Sequence, residues 1–440
     1  MPVTLEFPVP NGLNQFQQYM RLSQIATEMK IAGWRIDTNR LLQHRQSAIE
    51  RQSRLRAIFT KLACIEDIGR DGQTQKVKAY FWETLGVPVV SVDRKTKKPK
   101  LDASALLAYA TEYDDERIQK SAAALYGYRK AGKTLSFCDE YLATGERVHA
   151  TFNVTGTKGS RWSCTGPNLQ QLPSRELLYD FGDGPEAIAT SLKDVLIADE
   201  GFVLVDADWA ALELYLQTYI AKIRKLITCI ANGTDLHMYN ARVMFGEKLV
   251  PTFATKKTHK AYRNAAKLAF GFAYNASDSI TQVHKTMKGM FPEITEKTVQ
   301  TLRKRYFAHH PEVPTWQKRS IEKVTRLGYI DTPLMGRRLY LPATMRGFNQ
   351  SLNSQCQILG GDIANAAIIH LRNNLRWQEG EQIRAQVHDS FVLQTRPEWV
   401  EETAAKLVEA MTLPHEVNGV QTKLVAEPGT GYSWGNMKEL

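Results

Sequence analysis

The chain has 440 residues, 43% hydrophobic and 23% charged, the balance of a soluble globular protein with room for two or three subdomains. Its 57 Lys+Arg against 46 Asp+Glu give a net charge of +11, which favours a polyanionic partner without choosing between nucleic acid and an anionic membrane. No run of about 18 apolar residues is present to span a bilayer, and the amino terminus lacks a signal peptide's basic and apolar regions. The five cysteines (Cys64, Cys138, Cys164, Cys229, Cys356) are scattered without C-x₂-C spacing, which argues against a zinc site or disulfide framework and for a reduced cytosol.

Apolar residues at three- and four-residue spacing predict helices over Phe16–Ile31, Arg40–Cys64 and Asp115–Tyr141. The basic stretch Asp93–Lys100 interrupts them, and a solvated loop fits it as well as a phosphate-contacting one. Gly127–Thr134 matches the P-loop pattern G-x-x-x-x-G-K-[ST], but a P-loop must follow a buried strand, and the preceding Arg117–Tyr126 reads as helix. ATP binding there is rejected. From 151 the texture turns to Gly, Ser, Thr and Asn, and Thr155–Pro173 reads as loop and turn. A buried strand follows at Phe202–Asp208, then a helix over Trp209–Tyr219 and further helices to about 328. Gly336–Pro342 reads as the edge of a strand pair, with a helix from Asn349 to Arg376. Ile383–Val387 and Ser390–Gln394 flank His388-Asp389 as a hairpin with the carboxylate at its tip.

Two of these carboxylates sit where solvated surface acids are unusual. Asp208 ends the apolar run Val203-Leu204-Val205, and Asp206 shares its strand face, so spacing alone leaves either as a ligand. The bland alternative for Asp208 is a cap for the helix that follows; for Asp389 it is a turn aspartate. Between them, Arg263 and Lys267 share one face of a helix over Arg263–Tyr274, and Phe270, Phe272 and Tyr274 make its far end aromatic. Strand-borne aspartates can hold two Mg²⁺ about 3.5–4 Å apart around an in-line phosphoryl displacement. A helix cationic at one end and aromatic at the other suits a nucleotide's phosphates and base.

In this order the motifs resemble the polymerase domain of family A DNA polymerases, the bacterial DNA polymerase I and phage type, from about residue 20 to the carboxyl terminus. Thr155–Pro173 is similar to the family's Thr-Gly-Arg-x-Ser-Ser-x-x-Pro-Asn-Leu-Gln-Asn segment, and Val205–Leu214 to motif A. Asp235-Leu-His237 resembles the start of the fingers, Arg263–Tyr274 motif B, and Gly336–Pro342 the Gly-Arg-Arg-x-Tyr-Leu-Pro element. Asn353–Asp362 resembles the helix after it, and Gln386–Ser390 motif C.

The resemblance implies an α+β right-hand polymerase with a palm of antiparallel sheet plus helices, helical fingers and a helical thumb. It divides the chain into an extension (1–20), thumb (21–150), first palm part (151–234), fingers (235–330) and second palm part (331–440). Asp208 and Asp389 would hold two Mg²⁺, with Mn²⁺ as a substitute and Asp206 in support. Glu213 would be the steric gate against a ribose 2′-OH. Arg263, Lys267 and His237 would bind the triphosphate, Lys267 giving a proton to the leaving pyrophosphate, and Phe270 and Tyr274 would stack near the incoming base. Arg161, Asn168, Gln170, Asn353, Gln357 and His388 would touch primer and template, largely through the nearly degenerate minor groove and the backbone.

Primer–template DNA and dNTPs are the implied partners, with a separately encoded exonuclease, helicase or processivity factor as further candidates and no membrane. The implied setting is a bacterial or phage-infected cytoplasm. The thumb-like residues 20–145 leave no room for upstream nucleases, so a polymerase without its own proofreading or 5′ nuclease domain is expected. The chain departs from the family pattern in four places: Lys267 and Phe270 are three apart instead of four, Ala210-Ala211 replaces Ser-Gln, Tyr215 replaces Arg, and Ser390 replaces Glu. Two rival readings share the fold: a single-subunit RNA polymerase-like enzyme, against which Glu213 argues, and an inactive DNA-binding scaffold.

Overall fold

The computed structural model describes residues 12–440 except Arg94, Lys95, Lys97, Lys158, Arg175, Asp278, Gly289 and His388, and leaves undescribed the side chains of residues 12–15 and of Phe270. Three long helices open the chain: α1 (Gly12–Ala32), α2 (Thr38–Ala63) and α3 (Glu116–Leu142). Their ends follow local chemistry. Asp37 caps α2 by accepting from Arg40 N at 2.9 Å, and Asp115 caps α3 by accepting from Ile118 N at 3.0 Å. The P-loop match lies inside α3, where Gly127 is buried and a Cβ would stand 2.5 Å from Leu55 Cδ1. Its amides serve the helix ladder and not a phosphate.

The stretch after 150, read as loop, also forms a short antiparallel pair, Thr151–Asn153 with Ser163–Thr165. Next come β1 (Val203–Trp209), α4 (Leu212–Ala221), α5 (Leu236–Phe245), α6 (Lys260–Lys267), α7 (Ala269–Ala273) and α8 (Glu312–Leu327). Tyr329–Asp331 pairs with Arg338–Tyr340, and α9 (Met345–Asn374) follows. The chain ends through β2 (Gln382–Val387), β3 (Ser390–Thr395), α10 (Val400–Met411), β4 (Ala426–Gly431) and β5 (Lys438–Glu439).

The largest sheet has the order β2-β3-β1-β4-β5, antiparallel throughout. The period of two sets its faces. Val205, Ala207 and Trp209 are buried, and Trp209 Nε1 donates to Met411 O at 2.7 Å, which fixes that face against α10. Asp206 and Asp208 are therefore on the opposite face.

Two hydrophobic cores form among the described residues. One gathers the main sheet, α1 and the helices α4–α10. The other joins Leu55 and Phe59 of α2, Ile118–Leu125 of α3 and the hairpin residues Ile188 and Ala189. The antiparallel pair α2 and α3, each about 40 Å long, belongs to both cores: Leu41, Phe137, Cys138 and Tyr141 lie in the first. All five cysteines are free. Among the described residues no helix is long and apolar enough to cross a membrane.

Candidate active site

Backbone pairing builds the acidic half of the site. Ser390 stands opposite Asp208 in the β3–β1 register, and Trp209 N donates to Asp389 O at 3.1 Å, so the hairpin tip is bonded to the end of β1. Asp208 is exposed at the end of β1, yet partial desolvation first, and the neighbouring Asp389 second, push its carboxyl up to about 6, against the pull of Lys193. Asp206 is likewise pushed up to about 6 by burial, with Lys193 opposing. Asp208 caps no helix: α4 begins three residues later than read from the sequence, behind a left-handed Ala211 with no side-chain cap. Glu213 lies in the first turn of α4, half-exposed, its carboxyl raised by burial against the opposing charge of Arg161. Arg161 Nη2 reaches both acids, at 3.9 Å from Glu213 and 4.0 Å from Asp389.

The basic half is assembled by Asp235, which the sequence reading named only as the start of a motif, without a role of its own. Asp235 caps α5 by accepting from His237 N at 2.9 Å and Met238 N at 3.1 Å, and its other oxygen accepts from Arg263 Nε at 2.8 Å. That carboxylate gathers His237, Arg263 and, one turn on, Lys267. Burial and then the nearby Arg263 hold His237 down at about 4, so it is neutral at pH 7. Lys267 is lowered by burial and then by Arg263.

The single helix expected over Arg263–Tyr274 is broken at Leu268. Leu268 N donates to Ala265 O and Gly271 N to Leu268 O, tight three-residue bonds that turn Ala269, Phe272 and Ala273 inward. Gln317 of α8 closes the second segment by donating to Phe272 O at 2.9 Å and Ala273 O at 2.8 Å. Tyr274 packs edge-on against Trp316 with centroids 6.4 Å apart, and its hydroxyl, close to Cys356 and Glu213, is raised by burial. The Phe270 side chain lies outside the described residues.

The residues expected to touch DNA fall around these two halves. Asn168 accepts from Gln170 N at 3.0 Å, and Gln170 Nε2 donates to Gln386 O at 3.3 Å, bracing the strand that leads to Asp389. Gln357 lines a groove of about 550 Å³ with Arg161, Thr157, Tyr340 and Arg346. Asn353 is partly buried one turn earlier on α9. His388 lies outside the described residues. Lys193 is a residue that the sequence did not mark: its Nζ sits 4.1 Å over the Trp434 ring, and Asp206 and Asp208 attract it.

A divalent cation fits this donor set. Asp208 and Asp389 are hard oxygen donors whose mutual repulsion is already felt in Asp208. Among the described residues no cluster of three or more His, Cys, Asp or Glu could hold a metal, so such a cation would complete its shell with water and substrate oxygens, as Mg²⁺ does.

The profile of DNA polymerase family A matches residues 38–436. The chain belongs to DNA polymerase family A. It is similar to the thermostable DNA polymerase I of Thermus aquaticus, 28% identical over 432 residues, which are 95% of this chain and 48% of that protein. The DNA polymerase I of Pseudomonas aeruginosa is 27% identical over 381 residues, 82% of this chain and 38% of that protein. The chain thus spans about half or less of the length of these family A relatives. The fold is also that of the polymerase domain of Pol1 from M. smegmatis, solved in complex with DNA primer-template and dNTP, at a TM-score of 0.77 and 22% identity over 95% of this chain and 70% of that one.

Proposed function

We propose that this chain is a template-directed DNA polymerase that adds deoxynucleotides to a primer 3′-hydroxyl. The observation that carries the reading is the meeting of Asp208 and Asp389 at one end of an antiparallel sheet, in a chain whose family profile runs through both. In this reading the main sheet with α9 and α10 is the palm, α5–α8 belong to the fingers, and the second core with its α2–α3 lever is the thumb.

Asp208 and Asp389 would hold two Mg²⁺, or Mn²⁺ in their place. Bound there, the cations would activate the attacking hydroxyl and offset the charge of the triphosphate. Arg263 holds phosphate oxygens with the direction of its guanidinium set by Asp235. His237, being neutral, offers a hydrogen bond and no charge. Lys267, with its lowered pKa, gives a proton to the departing pyrophosphate. Glu213 stands beside the carboxylate end, where bulk excludes a ribose 2′-OH. Arg161, Asn168, Gln170, Asn353, Gln357 and His388 would contact primer and template, and Phe270 and Tyr274 the incoming base.

A labelled primer–template with Mg²⁺ and either dNTPs or rNTPs tests this directly, beside an Asp208→Asn control. Extension with dNTPs alone that vanishes in the control is the expected result. Equal extension with rNTPs would favour an RNA polymerase-like enzyme, and DNA binding without extension an inactive scaffold.

A further inference from the structure

Ser160 has a φ of 59°, a left-handed conformation that a non-glycine residue keeps only where its surroundings over-determine it. They do so from three sides. Its hydroxyl accepts from Arg337 Nη2, which also donates to Asp362 Oδ1. Its carbonyl accepts from Asn365 Nδ2 at 3.5 Å, and Asn365 Oδ1 accepts from Trp162 Nε1 at 2.8 Å. Its backbone lies on Gly361 of α9, where a Cβ would stand 2.8 Å from Gly159 O and from Ser160 C. Asp362 and Asn365 are both buried, and Arg337 Nη1 donates to the Tyr19 hydroxyl at 2.7 Å. The turn is thus fastened to α1, to α9 and to the Arg337 loop.

The next residue is Arg161. Its contacts at 3.9 and 4.0 Å to two partly exposed carboxylates are too weak to fix it, because solvent-screened pairs gain little against the rotamer freedom of a long side chain. The direction in which it leaves the backbone is the stronger constraint. We infer that Arg337, Asp362 and Asn365 are positioning residues: by clamping Ser160 in its left-handed turn, they hold the Arg161 guanidinium between Glu213 and Asp389. The consequence for catalysis rests on the polymerase reading above; the clamp itself does not.

The test has two parts. In Asp362→Asn, hydrogen exchange of amides 156–163 should quicken about tenfold while the 382–395 hairpin stays unchanged. Single-nucleotide addition should slow about tenfold in that variant, yet less than about twofold when Asp362→Asn is made in an Arg161→Ala background. Ser160→Ala, which removes only the hydroxyl, should repeat the pattern and serves if Asp362→Asn fails to fold. Unchanged exchange at 156–163 would overturn the clamp. Equal slowing in both backgrounds, or none in either, would overturn its action through Arg161, because a general loss of structure does not depend on that side chain. A wild-type chain that extends no primer would sink the polymerase reading, and the exchange data would still decide the clamp.

Discussion

Asp208 and Asp389 stand on backbone bonded strand to strand at the end of a five-stranded sheet, whereas Arg263 and Lys267 stand on an eight-residue helix tied to α5 through the Asp235 carboxylate. The acids are held by the ladder and repel each other; the cations are held by side chains, and the Asp235 carboxylate offsets their mutual repulsion. The acidic half is therefore fixed by backbone bonds, whereas the basic half rests on side-chain contacts: the Asp235–Arg263 ion pair, the buried Ala265 and Ala266, and Tyr262 packed against Phe245 and Phe291. In a polymerase this suits a fixed reaction centre and a helix that closes on the correct nucleotide.

The contrast can be broken by experiment. Lys267→Ala should lower the rate of nucleotide addition about 10²-fold, with a matching loss of the basic limb of the pH–rate profile, as removal of a general acid does. An unchanged profile would take Lys267 out of proton transfer. Asp235→Asn keeps a capping oxygen for α5 but loses the ion pair to Arg263, so the KM for dNTP should rise about tenfold with little change in melting temperature. Asp235→Ala should give the same KM and destabilise by about 1 kcal/mol more. If both variants bind dNTP normally, Asp235 is only a helix cap.

The smallest effect concerns stability on the acidic side. The Asp208 carboxyl lies at about 6 in the folded chain, above the ordinary carboxylate value of 3.8. Its stabilising contribution is full below about pH 4 and is lost as pH rises through about 6. Without divalent ions, Asp208→Asn should therefore melt higher than the wild type at pH 8, by no more than about 2 °C because solvent screens the side chain's exposed edge, and the gap should close by pH 4. A gap that grows toward low pH would contradict the upward shift of the Asp208 carboxyl.

What the sequence revealed, and what it hid, follows the range of the interactions. The helices α1, α2 and α3, the strand β1 and the hairpin around Asp389 were legible because apolar spacing, apolar runs and turn residues are local signals, whereas the ladder that joins β1 to β3 is long-range. The strand face shared by Asp206 and Asp208 needed only the period of two. Asp235 appeared in the sequence only within the motif Asp235-Leu-His237, and its role was hidden because its partner Arg263 lies 28 residues away. Lys193 was hidden because Trp434, the ring beneath it, comes from the far end of the chain. The end of the second segment at Ala273 is held by Gln317, a residue of another helix, so the continuous pattern over Arg263–Tyr274 gave no sign of it. The short pair Thr151–Asn153 with Ser163–Thr165 was masked by turn-forming residues between its strands.

The central claim is that the Asp208–Asp389 pair is the reaction centre for DNA synthesis. Its most direct test is the single-turnover rate of one dNTP addition across a Mg²⁺ titration, in the wild type and in Asp389→Asn, with primer–template affinity measured alongside. The account expects a wild-type rate that saturates with Mg²⁺, a loss on the order of 10³-fold in the variant, and DNA affinity unchanged within about twofold. A variant that adds dNTP at the wild-type rate would contradict it.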